Sequence, residues 1–220
     1  MPFARPCLLA LTIAAAAGGQ LAGCASTRIA LAESFGYEKR EQLVDRVADA
    51  RDAQEQAQTT FNDALEEFLA VTDASGGELE SAYRRLQDAF ERSESRAERV
   101  RSRIRSVERV ADALFDEWER ELDDYESERL RASSATQLDD TRARYASLLR
   151  TMRAAEARMD PVLAAFGDQV LYLKHNLNAR AIAGLSKTVG ELEDEIADLV
   201  AEMQASIDEA NAFIDSMGSE

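Results

Sequence analysis

Apolar residues recur at alternating steps of four and three along most of the chain. The longest run goes from Glu78 to Arg131. It reads Leu79, Tyr83, Leu86, Phe90, Ser93, Ala97, Val100, Ile104, Val107, Ala111, Leu114, Trp118, then, after one extra step of four, Leu122 and Tyr125. It contains no Gly and no Pro. A sustained period of 3.5 residues predicts a helix that buries one narrow stripe against partner helices. At 1.5 Å per residue this second helix would be roughly 80 Å long, the spine of an elongated bundle.

The flanking stretches repeat the pattern. Helix one is predicted from Glu38 to Asp73 on Leu43, Val47, Ala50, Gln54, Ala57, Phe61, Ala64, Phe68 and Val71. Ser75-Gly76-Gly77 should break it, because paired glycines favour a tight reversal. Ser133-Ser134 is expected to close helix two and cap helix three. Helix three carries Leu138, Thr141, Tyr145, Leu148, Met152, Ala155, Met159, Val162, Phe166, Val170 and Leu173. Asp160-Pro161 lies inside it. A mid-helix proline removes a backbone bond, but the apolar phase continues, which predicts a bend and not an end. Helix four carries Ile182, Leu185, Val189, Leu192, Ile196, Leu199, Met203, Ser206, Ala210, Phe213 and Met217.

Four helices with short connections predict an all-α, antiparallel four-helix coiled-coil bundle with the long second helix as its spine. Folding about Gly76 sets Leu43 near Glu108 and Gln54 near Ala97. Folding about Ser133 sets Met159 near Val107 and Leu173 near Arg92. In that layout the Gly76 hairpin projects as a two-helix tip, roughly 55 Å from the start of helix one. The arginines from Arg92 to Arg109 would face Glu41, Asp45, Asp49, Asp52 and Glu55 of helix one, and opposite signs beside a seam select register.

The N-terminus has a different character. Arg5 precedes an apolar run from Cys7 to Ala17, too short to span a bilayer and laid out like a secretory signal. It ends Leu21-Ala22-Gly23-Cys24, which looks like a bacterial lipobox, cut before a cysteine that is then acylated. This predicts a signal peptide over residues 1–23, lipidation at Cys24, a tether over 24–37 and one helical domain over 38–217. Several acyl chains together give stable anchoring. Cys7 would leave with the signal, so no disulfide forms. Ala25 after the cysteine, by resemblance to the sorting rule of Gram-negative lipoproteins, points to the periplasmic face of the outer membrane.

Charge narrows the partners. The chain holds 26 Lys and Arg against 42 Asp and Glu, a net −16. Starting at Cys24 it loses only Arg5. Such a charge repels nucleic acid and anionic lipid surfaces. The expected partners are therefore the membrane through the lipid anchor and a protein of the cell envelope, with homo-oligomerisation left open.

Candidate chemistry is sparse. The single histidine, His175, sits with Lys174, Asn176, Asn178 and Arg180 at the predicted turn between helices three and four. One reading is a recognition patch for an anionic group, or a general base. The other is a helix end, with Lys and His placed to suit the dipole and Asn176 or Asn178 capping the next helix. The acids around Asp116 to Asp124 read as a solvated face. The arginine band read as a polyanion site is weakened by the interleaved Glu91, Glu94, Glu98 and Glu108. Trp118 and Tyr125 fall on the seam and are expected in the core; Tyr172 falls off it. No residue set for metal, cofactor or nucleophilic catalysis stands out.

Three segments carry a resemblance: Gly36-Tyr37 with Lys39-Arg40 and Leu43 to Val47, then Ala113 to Glu119, then Asp168 to Ile182. They resemble a family of gammaproteobacterial lipoproteins known as domain of unknown function 2959. The resemblance implies a lipoprotein with a coiled coil and carries over no functional residue. The expected role is a non-catalytic binding or scaffold rod facing the periplasm. Alternatives are a membrane-remodelling helical protein and an envelope-polymer enzyme using His175.

Overall fold

A computed structural model describes residues 24–74, 76–178, 182, 184–185 and 188–218, with side chains from Glu38 onward. The predicted signal peptide lies outside the described residues. Four long α-helices account for most of the described residues: α1 (Cys24–Asp73), α2 (Leu79–Glu121), α3 (Glu128–His175) and α4 (Val189–Gly218). Among the described residues there is no strand. Each helix packs along two others, α1 on α2 and α4, and α3 on α2 and α4. The protein is an all-α four-helix bundle, and its long second helix lies between α1 and α3.

The seam predicts the core closely. All nine apolar-phase positions of α1, from Leu43 to Val71, are fully buried, Gln54 among them. In α3 the whole row from Leu138 to Leu173 is buried. Burying a large aliphatic or aromatic side chain contributes about 1.5–3 kcal/mol, so these rows supply the stability. In α2 the phase slips at its start. Ala82 and Ala89 are buried, while Tyr83 and Phe90, one position on, are only half-buried.

The α1–α2 register agrees with prediction. Arg103 bonds to Asp49 at 3.0 Å, Arg96 to Gln56 at 2.6 Å and Arg85 to Glu67 at 3.0 Å. The charge argument for that register fails in detail. Of the five acids expected to face the arginine band, only Asp49 reaches it among the described residues. Arg51 of α1 itself takes Asp52 at 2.6 Å and Glu55 at 3.9 Å. Glu55 lies four residues beyond Arg51 on the same face of α1, where such pairs meet.

Two expectations at the helix ends are overturned. Helix two does not run to Arg131. It stops at Glu121, a 3-10 turn covers Leu122–Asp124, and α3 starts at Glu128. The break lies where Asp123, Asp124, Tyr125 and Glu126 interrupt the stripe, and Ser127 accepts from the Leu130 N–H at 3.4 Å as the N-cap. The earlier turn shifts the α2–α3 register, so Asp160 pairs with Arg101 and Glu108 with Arg153. Ser133 and Ser134 lie inside α3.

The Gly76 hairpin is also no bare two-helix tip. The Phe166 ring of α3 meets Phe68 of α1 at 6.0 Å and Phe90 of α2 at 5.7 Å, both edge-on. Ile182 and Leu185, ahead of α4, are buried and belong to the one continuous core. At the other end, the segment expected as a tether is helical, since α1 begins at Cys24. α3 continues through Pro161.

Candidate functional site

The candidate turn grows out of the end of α3. Leu173 is fully buried and fixes the last turn, which leaves Lys174 and His175 exposed beside the free carbonyls of the helix. Cations there are favoured by the helix dipole. Asn176 leaves helical geometry at φ −130°, ψ 46°, and its N–H reaches the Leu173 carbonyl at 3.1 Å. Its side-chain amide donates to the Tyr172 carbonyl at 3.0 Å. It therefore closes α3, where the sequence had offered it as a cap for the next helix. The Asn178 N–H reaches back to the Asn176 carbonyl at 2.8 Å, and the Asn178 carbonyl accepts from the Ile182 N–H at 3.2 Å. Arg180 lies outside the described residues. The arrangement is that of a helix end, and no described side chain converges with His175.

A groove of about 440 Å³ opens next to this end, between α2 and α3. Phe90, Leu163 and Leu171 give it apolar walls, and Glu94, Arg101, Asp160 and Asp168 give it polar ones. Gly167 faces the Phe90 ring so closely that a Cβ there would sit 3.0 Å from Cζ. The glycine lets the two helices approach at this level. Leu171 is 57% and Tyr172 45% exposed, a small apolar patch on the outer edge. The seam pattern alone puts Tyr172 off the core but gives no sign of the groove, which depends on Gly167 and the α2–α3 register.

Electrostatics elsewhere describe structural pairs. Arg153 grips Glu108 through two nitrogens, its Nη2 lying 2.5 and 2.6 Å from the two carboxylate oxygens, and this bonding raises its pKa. The Glu98 carboxylate is held below its ordinary range, first by its hydrogen bond from Arg105 and then by Arg101. Glu121 is pushed up by burial, then by the charges of Glu117 and Asp124. Burial, with Asp112 and Glu108 nearby, pushes Tyr145 up to about 12. Among the described residues no group of three or more His, Cys, Asp or Glu side chains gathers as a metal site would need. No described helix is long and apolar enough to cross a membrane.

Comparison with known proteins places the chain. Residues 29–217 match the family described as "Protein of unknown function (DUF2959)". The chain belongs to this family. No curated protein and no solved structure matches it. All three segments that carried the resemblance in the sequence fall within the matched range. Family membership brings the bundle under one heading with its relatives but assigns it no reaction.

Proposed function

We propose that this member of the DUF2959 family is a lipid-anchored protein of the cell envelope that works as a binding or scaffold rod without catalysis. The observation that carries the reading is the run Leu21-Ala22-Gly23-Cys24. Acylation at Cys24 fixes one end of a long bundle to the periplasmic face of the outer membrane. The side walls of the bundle then face the periplasm, where a protein partner can bind. The strong net negative charge keeps those walls off anionic headgroups, so the lipid and not the protein surface makes the membrane contact.

Metabolic labelling with a clickable fatty acid tests the anchor. The full chain becomes labelled and sediments with outer membranes, while Cys24→Ala loses the label and leaves the membrane fraction. An unlabelled wild-type chain overturns the reading.

A further inference from the structure

The groove between α2 and α3 combines apolar walls with carboxylates that nothing answers. Its described lining holds Glu94, Asp160 and Asp168 and one guanidinium, that of Arg101. Arg101 is already bonded to Asp160 and reaches Glu98 at 3.5 Å. Glu94 and Asp168 are exposed and have no hydrogen bond or ion pair among the described residues. Glu91, on the turn of α2 before Glu94, is also exposed and meets only the neutral Gln87 amide at 3.1 Å. Arg92 and Arg99 fall about half a turn round α2 from Phe90, so they point away from the groove. Lys174 and His175 are exposed past its Leu171 end. Unanswered negative charge therefore gathers over the middle of the groove.

The apolar walls lie between these acids. Phe90 and Leu163 are half-buried, and Leu171 is 57% exposed. Ala164 and Gly167 add a methyl and no side chain to the floor, which keeps it close to the backbone. On α3 the groove residues Asp160, Ala164, Gly167 and Leu171 advance by four, three and four. That is the phase of a seam, repeated on a face where Asp160, Ala164 and Leu171 are exposed. From Asp160 to Leu171 it spans about 17 Å, or about three turns of helix. A helix lying in such a groove makes contact at positions i, i+3 or i+4, and i+7.

We infer that this groove seats a basic amphipathic helix of another protein. Its apolar side chains lie between Phe90 and Leu171, and its lysines or arginines meet Glu94 and Asp168. Charge decides the class of partner. An acidic helix is repelled, and so is α4 of a second copy, which carries nine acidic residues and no Lys or Arg. Exposed ion pairs add little affinity, so the apolar contact holds the partner and the carboxylates select it. The inference deepens the binding role proposed above and rests on it, but not on the anchor at Cys24.

Fluorescence anisotropy with the full chain in nanodiscs of neutral lipid tests it, with empty discs as the blank. The probe is a labelled helical peptide of about four turns, with leucines at i, i+4 and i+7 and lysines beside them. The wild type binds it, and binds the same peptide with glutamates for lysines about tenfold more weakly. Glu94→Gln with Asp168→Asn weakens binding of the lysine peptide about fivefold, as the loss of two exposed pairs requires. Leu171→Ala also weakens it about fivefold, through lost apolar contact. Asp194→Asn with Asp208→Asn makes the same change of charge on α4 and leaves binding unaltered. All these positions are exposed, so helix content by circular dichroism stays at the wild-type level in every variant. A wild type that does not bind, an equal loss from the α4 pair, or a Leu171→Ala chain that binds like the wild type overturns the inference. Equal binding of the glutamate peptide overturns it too and reassigns the groove to an apolar ligand of no fixed charge. A chain that binds the probe but takes no fatty-acid label loses the anchor alone, and a labelled chain that fails to bind loses the groove alone.

Discussion

The indole Nε1 of Trp118 donates a hydrogen bond of 2.8 Å to the Oγ of Ser134 across the α2–α3 turn. The same Oγ accepts from the Tyr125 hydroxyl at 3.4 Å. Ser134 is buried, and its neighbour Ser133 is exposed. Both hydrogen bonds are part-buried, so removing their shared acceptor costs about 1–2 kcal/mol, while exposed substitutions stay within about 0.5 kcal/mol. Ser134→Ala should therefore lower unfolding stability by about 1–2 kcal/mol in urea, and Ser133→Ala should leave it nearly unchanged.

A second polar pair lies in the core. Ser206 donates to Gln54 Oε1 at 3.0 Å, both residues fully buried, and the Gln54 Nε2 has no partner. An orphaned buried donor is costly, whereas replacing both members with apolar groups leaves nothing unsatisfied. Gln54→Leu combined with Ser206→Ala should raise stability by about 1–2 kcal/mol. A fall in the denaturation midpoint of the double variant would show that the pair is net stabilising.

Glu121 gives a pH signature. Its folded pKa is raised, so the folded state disfavours its charged form. The stability linked to its protonated form is present below the ordinary glutamate range and lost as pH rises through the raised folded value. Glu121→Gln should raise the melting temperature at pH 7, and the difference from wild type should vanish below about pH 4, where both side chains are neutral. A gain that persists in acid would point to packing instead.

Phe166 joins three helices, with no exposed surface and edge contacts to Phe68 and Phe90. Phe166→Ala should cost about 3–5 kcal/mol by thermal or chemical denaturation. Tyr172→Ala, at a 45% exposed position, should change stability by no more than about 0.5 kcal/mol.

The core was legible because a single repeat specifies it. Leu43 to Val71 and Leu138 to Leu173 follow the seven-residue phase without interruption, so burial could be read position by position. The α2–α3 turn was not legible. Leu122 and Tyr125 can be placed on the stripe by allowing one extra step, and no glycine or proline marks the reversal. Tyr125 proves 42% exposed, and the register beyond it shifts. The cap role of Lys174, His175 and Asn176 was available from residue type, since a helix end rewards those residues with or without a ligand.

The uninterrupted run of α1 from Cys24 to Asp73 has a mechanical consequence. Residues 24 to 37 add about 20 Å of helix ahead of Glu38, and Lys39 is already tied to Glu117 of α2 at 2.5 Å. Whatever grips the first turn therefore holds a stiff handle and not a leash. Tilting or turning that handle swings the other three helices with it, so the grip dictates the compass bearing of every outward face.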